Sequence, residues 1–307
     1  MPLRASLWAA RPRASSRQVP PVSWGRRHTP PAVLGVPLVA LLAASGCQAP
    51  PPTADSTPRP TLAFSDDFNG PAGSPPADSR WTYDLGGTGW GNNELEYYTD
   101  NAANAALDGS GHLVISALRD NSGISCWYGP CDYTSARLTT DQKFSQAYGH
   151  FEARIQLPKG KGIWPAFWLL GDNSDDQPSR YGEIDVMEFL GHDPGTIHGS
   201  LHGPDYHTSG TYSLSRPGAF SDGFHVFAID WAPSSVSFSV DGHAYETQQR
   251  AAGGDRWVFD HRFYILLNVA VGGDWPGPPD DTTEFPARMV VDYVRVYRSP
   301  ALPTADR

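Results

Sequence analysis

Apolar and polar residues alternate with a period of two along most of this chain, the pattern of strands with one buried face. Between Gly149 and Leu157 the residues Phe151, Ala153, Ile155 and Leu157 are apolar, and His150, Glu152, Arg154 and Gln156 between them are polar. Val236, Phe238 and Val240 alternate with Ser235, Ser237 and Ser239 ahead of Asp241-Gly242, a pair suited to a hairpin turn. Further strands are predicted over 112–118, 163–170, 197–202, 224–231, 262–269 and 289–297. No stretch longer than a turn or two keeps a helical period. Many short strands separated by Gly- and Pro-rich turns predict an all-β sandwich or barrel.

One predicted strand departs from strict alternation. In Gly182-Glu183-Ile184-Asp185-Val186-Met187-Glu188-Phe189, Glu183 and Asp185 share one face and Ile184 and Val186 the other, which leaves Glu188 on the wrong side. One extra residue, read as a β-bulge at Met187, returns Glu188 to the face of the other two acids. Three crowded carboxyls desolvate and repel one another, which separates their pKa values and suits acid–base chemistry on a glycosidic bond. Taken alone, the acids fit equally well the solvated face of an edge strand. In the following strand His198, Ser200 and His202 recur at period two, either as the continuation of a groove or as an ordinary polar face.

Composition narrows the choice. The net charge is -10, and the first 46 residues hold six arginines and no acid, so the remainder carries -16. The whole chain has three lysines, which argues against nucleic acid or another polyanion as partner. Ten tryptophans in an acidic chain, eight of them after residue 46, suit a groove that stacks on neutral sugars, although core filling accounts for many of them.

The amino-terminal segment reads as an export signal. An Arg-rich stretch ending at Arg27 leads into an apolar run over 32–44, too short for a stable membrane span and interrupted by Pro37. Ala44-Ser45-Gly46-Cys47 resembles a bacterial lipobox, with Ala44 where Leu is usual, so Cys47 is the expected lipidated residue after removal of 1–46. Ordinary cleavage and secretion is the alternative, and both export the protein. The proline-rich stretch 47–61 reads as a tether, and 62–300 as a single domain. Cys126 and Cys131 then remain; in an oxidising compartment they close a small loop disulfide, and a metal pair lacks two further ligands at suitable spacing.

The run from Gly182 to Gly191 resembles the signature of family 16 glycoside hydrolases, in the form with the extra Met typical of laminarinase-type endo-β-1,3-glucanases. Gly89–Thr99, Trp164–Gly171, Gly272–Gly277 and Val290–Tyr297 resemble laminarinase segments in the same order. The resemblance implies that 62–300 is a catalytic domain, a β-jelly-roll of two curved antiparallel sheets with a concave substrate groove. It implies Glu183 as nucleophile, Glu188 as general acid/base and Asp185 as their assistant, in a retaining mechanism needing carboxyls about 5–5.5 Å apart. Trp90, Trp164, Trp168 and Trp275 match groove tryptophans, and Asn92, Arg137 and His202 are further substrate-contact candidates. No cofactor is implied for catalysis. A structural Ca²⁺ on the convex side is implied at Asp67, Gly111 and Asp292. The expected partner is a β-glucan, laminarin-like or of mixed linkage, acted on by a monomer. A galactanase would suit sulfated substrates only with basic groove residues, and a glucan sensor that has lost catalysis would lack one of the two glutamates.

Overall fold

The computed structural model describes residues 60–172 and 181–300. The expected signal segment 1–46, Cys47 and all but the last two residues of the tether 47–61 lie outside the described residues.

Two sheets enclose a common apolar core. The first runs in the order Tyr206–Ser213, Thr196–Gly203, Glu183–Phe189, Ile163–Gly171, Phe263–Val271, Arg137–Thr139 and Thr82–Asp84, with Ser145–Gln146 as an eighth strand beside Phe263–Val271. The second has ten strands and is centred on His225–Ala232, Gly149–Gln156 and Ala287–Arg298. Pairing is antiparallel except between Glu96–Tyr98 and Tyr133–Ser135. The architecture is the expected β-jelly-roll, and each predicted strand is present within two residues of its expected bounds. Among the described residues helix is confined to Arg250–Gly253 and a 3₁₀ turn at Gly254–Arg256. Strands such as Arg137–Thr139 and Glu96–Tyr98 span three residues, too few for periodicity to reveal them.

Alternation carries directly into packing. Phe151, Ala153 and Ile155 are fully buried, and they meet Phe227, Ile229 and Trp231 from the neighbouring strand in the same core. On the facing sheet Ile184, Val186, Met187 and Phe189 are inward and at most 1% exposed. Two adjacent residues, Val186 and Met187, therefore point the same way, which a regular strand forbids. The register shows the cause: Asp185 pairs with Ser200 and Glu188 with His198, so Val186 and Met187 together oppose Gly199. Against the strand on the other side Met187 pairs with Phe167 and Asp185 with Trp168, which makes Val186 the unpaired residue. The expected bulge is present and covers Val186-Met187 rather than Met187 alone. Gly199 is glycine for a packing reason, since a Cβ there would lie 2.4 Å from Tyr245 Oη and 2.7 Å from the Phe238 ring.

Candidate active site

The bulge delivers its result at the opposite face of the same strand. Glu183, Asp185 and Glu188 line one cavity of about 110 Å³, and Glu183 and Glu188 also line a second of about 400 Å³. The acids thus stand where two cavities meet along the sheet. His202 lies directly across from Glu183 in register, with Nε2 3.0 Å from Asp185 Oδ2 and 3.8 Å from Glu183 Oε1. Glu188 Oε1 accepts a hydrogen bond from Trp164 Nε1 at 3.1 Å.

Burial dominates the electrostatics. Asp185 is 3% exposed and Glu188 9%, and desolvation pushes both carboxyls well above the ordinary carboxylate range. The negative charges of Asp185 and Glu183 add to the upward push on Glu188, while His202 and the Trp164 N–H oppose it. Glu183 is raised less: burial lifts it, and the charges of His202 and Arg137 and a hydrogen bond with Asp185 pull it back. That shared hydrogen bond raises Asp185 while lowering Glu183. Burial and mutual repulsion thus hold Asp185 and Glu188 well above the ordinary range, with Glu183 raised less. Neighbouring carboxyls whose proton affinities are pushed apart are the raw material of acid–base chemistry on a glycosidic bond.

Aromatic side chains wall the two cavities. In the smaller one the Arg137 guanidinium lies over Trp90 and Trp168, 4.6 and 4.7 Å from the ring centroids, and its Nε is 2.8 Å from Asp84 Oδ2. Trp168 Nε1 donates to Asn268 Oδ1. In the larger one Trp275 meets Trp164 edge-on at 5.4 Å and His198 at 4.9 Å. Asn92 borders both cavities. Every expected substrate residue, Trp90, Asn92, Arg137, Trp164, Trp168, His202 and Trp275, thus borders this groove. His198, Ser200 and His202 share its floor as their spacing predicts.

The loop bearing Trp90 and Asn92 is tightly wound. Gly89, Trp90, Gly91 and Asn93 all have positive φ, and for Trp90, at 48°, that is a costly backbone held by its surroundings. Trp90 Nε1 donates to Gly86 O, and Asp274 N donates to Asn92 O. Gly272 and Gly273 permit this close approach, because a Cβ on Gly273 would stand 3.0 Å from Asn92 O.

Glu94, Glu96, Tyr98, Asn268 and His207 escaped the sequence reading. Asn92 Nδ2 and Tyr98 Oη donate to the two oxygens of Glu94, and Asn268 Nδ2 donates to Tyr98 Oη. Glu96 is fully buried; desolvation holds its carboxyl far above the usual range, and it shares a hydrogen bond with Glu94. This network joins Asn92 to Trp168 beneath the groove. Its signal was Glu94-Leu95-Glu96, the same acid spacing as Glu183-Ile184-Asp185. His207 Nδ1 lies 3.2 Å from His202 Nδ1.

Two other expected sites lie away from the acids. Cys126 and Cys131 are joined by a disulfide. At the expected calcium position an added Cβ on Gly111 would lie 3.9 Å from Asp67 O, so these segments are adjacent and offer oxygen donors, the class calcium takes. The Asp67 carboxylate is paired with Arg295 at 2.6 Å and the Asp292 carboxylate with Arg154 at 2.5 Å.

Buried paired carboxyls between two tryptophan-walled cavities on an all-β sandwich define a hydrolase of glycosidic bonds. The chain belongs to the glycosyl hydrolases family 16, whose family model matches residues 87–295. It is 41% identical over 258 residues to a beta-glucanase of Rhodothermus marinus, covering 80% of this chain and 87% of that protein. The catalytic domain of an endo-1,3-beta-glucanase (laminarinase) from Thermotoga petrophila superposes with a TM-score of 0.72 at 44% identity, over 79% of this chain and 99% of that one. The endo-beta-1,3-glucanase of Pyrococcus furiosus gives 0.73 at 44% identity, over 82% and 97%.

Proposed function

We propose that this protein is an endo-acting, retaining hydrolase of β-1,3-glucosidic bonds in laminarin-like β-glucans, with mixed-linkage glucan as a further substrate. The observation that carries this reading is the position of Glu183 and Glu188 at the junction of two cavities, with tryptophans on either side. A glucan lying along the groove has glucosyl units on both sides of the acids, so an internal bond meets them. The linkage is supported by the endo-1,3-beta-glucanase activity of the relatives above.

In this mechanism Glu188 gives its proton to the glycosidic oxygen as that oxygen leaves the anomeric carbon. The Glu183 carboxylate attacks the same carbon and forms a glycosyl-enzyme, with Asp185 donating a hydrogen bond that holds the nucleophile in place. Water then loses its proton to Glu188, attacks the anomeric carbon and expels Glu183. Two inversions give net retention. The test is digestion of laminarin followed by proton NMR: new reducing ends released in the β configuration are expected, and an intact polymer or initial α ends would refute the assignment.

We also infer that residues 1–46 direct export, that Cys47 carries a lipid anchor, that 47–61 tether a monomeric catalytic domain over 62–300, and that Ca²⁺ binds at Asp67, Gly111 and Asp292. The calcium reading rests on oxygen donors from three chain segments far apart in sequence, and the ion would replace Arg295 and Arg154 as partner of the two carboxylates. Chelator treatment is then expected to lower the melting temperature.

A further inference from the structure

Trp127 is 51% exposed and yet held from several sides. Its indole Nε1 donates to Glu94 O at 2.7 Å, and its backbone N donates to Gly87 O at 2.8 Å. The ring lies so close to Gly89 that a Cβ there would stand 2.9 Å from Nε1. Tyr128 meets it edge-on at 5.4 Å and is itself fixed by donating to Leu95 O. The two aromatics sit at the tip of a short hairpin, Ser125–Cys126 paired with Gly129–Pro130, which the Cys126–Cys131 disulfide closes.

The strand and loop that this hairpin grips are the ones that build the groove. Gly87, Gly89, Glu94 and Leu95 contact the hairpin, while Trp90, Asn92 and the Glu94 side chain border the smaller cavity. Glu94 makes the junction: its carbonyl accepts from Trp127, and its carboxylate accepts from Asn92 in the groove and from Tyr98 beneath it. Six residues beyond Cys131 the chain enters the same cavity again at Arg137.

An indole is a large, flat apolar surface with a polar edge, and Trp127 presents one half-exposed in a fixed orientation beside the groove loop. The same fixation favours binding, because little side-chain freedom is left to lose. We propose that Trp127 is a sugar-stacking platform that engages glucosyl units of a long β-glucan after the chain leaves the groove at its Trp90–Arg137 end. The flat ring matches the apolar C–H face of a glucosyl unit. An uncharged glucan also fits the few lysines of this acidic protein. The inference rests on the β-glucan reading above and adds to it a dependence on chain length.

The experiment compares the intact protein with Trp127→Ala and Trp127→Phe on laminarin and on laminaritetraose. For Trp127→Ala, KM on laminarin is expected to rise about fivefold with kcat retained, while kinetics on laminaritetraose stay unchanged. Trp127→Phe keeps a ring and is expected to retain most of the laminarin affinity. Equal losses on both substrates would mean that Trp127 only braces the loop, and no loss on either would mean that it binds nothing; each result overturns the platform while leaving the glucanase reading intact. If the unsubstituted protein leaves laminarin uncut, the glucanase reading fails and the platform fails with it. Reducing the disulfide under native conditions is expected to reproduce the long-substrate loss.

Discussion

Trp164 donates its indole N–H to Glu188 Oε1 at 3.1 Å, so a wall residue of the groove also fixes the buried acid. The bond favours the ionised form of Glu188, against the dominant upward push of burial. In Trp164→Phe that opposition is removed and the Glu188 pKa rises further. The acid then stays protonated to higher pH, and the alkaline limb of the kcat/KM profile is expected to move upward while the maximum falls about tenfold. A limb that stays in place would show that Trp164 does not set the proton affinity of Glu188.

Glu183→Gln and Glu188→Gln remove the proposed nucleophile and the proposed proton donor with little change in shape. Each is expected to lower kcat on laminarin by about a thousandfold or more while laminarin binding, measured calorimetrically, persists. A single variant with full activity would exclude its residue from the chemistry.

Gly199→Ala tests the bulge through packing rather than chemistry. The added methyl would stand 2.4 Å from Tyr245 Oη and 2.7 Å from Phe238, opposite Val186 and Met187. Overpacking of this kind costs about 1–3 kcal/mol, to be read as a lower urea midpoint. Because the same pairing sets the register of Glu188 against His198, activity is expected to fall along with stability.

His150, in the second sheet, lies between Asp230 and Glu152, with Nδ1 2.9 Å from Asp230 Oδ1. Hydrogen bonds to Asp230 and then to Glu152 raise its pKa from 6.5 to about 9. A raised folded-state value stabilises the fold fully below pH 6.5, and this contribution is lost as pH climbs through about 9. Urea unfolding of the protein and of His150→Gln is expected to differ most near pH 6 and to converge near pH 10.

The disulfide hairpin and the Glu94–Glu96 pair show how the groove is supported from beneath and outside. Glu96 accepts the backbone N–H of Val271 at 2.6 Å, in the strand that supplies Asn268. A groove-lining loop wound through four positive-φ residues is thereby tied to the rigid sheet. Local backbone cost at Gly89–Asn93 is offset by these tertiary bonds.

Periodicity in the sequence was sufficient to determine an all-β sandwich or barrel, because a strand with one buried face must alternate as Phe151, Ala153 and Ile155 do, and the family resemblance chose the two-sheet jelly-roll. The same rule exposed the acid strand: Glu188 violated alternation, and only an inserted residue could restore it. The family resemblance then assigned the tryptophans. What the sequence could not decide is which residue the bulge leaves unpaired, since that depends on two neighbouring strands. Against Ile163–Gly171 it is Val186, and against Thr196–Gly203 the pair Val186-Met187 shares Gly199. Nor could it reveal Glu94, Tyr98 and Asn268 as one network, because their contacts cross up to 170 positions of chain and exist only once the strands are paired. Local pattern fixes which face a side chain takes; pairing and packing fix what it meets there.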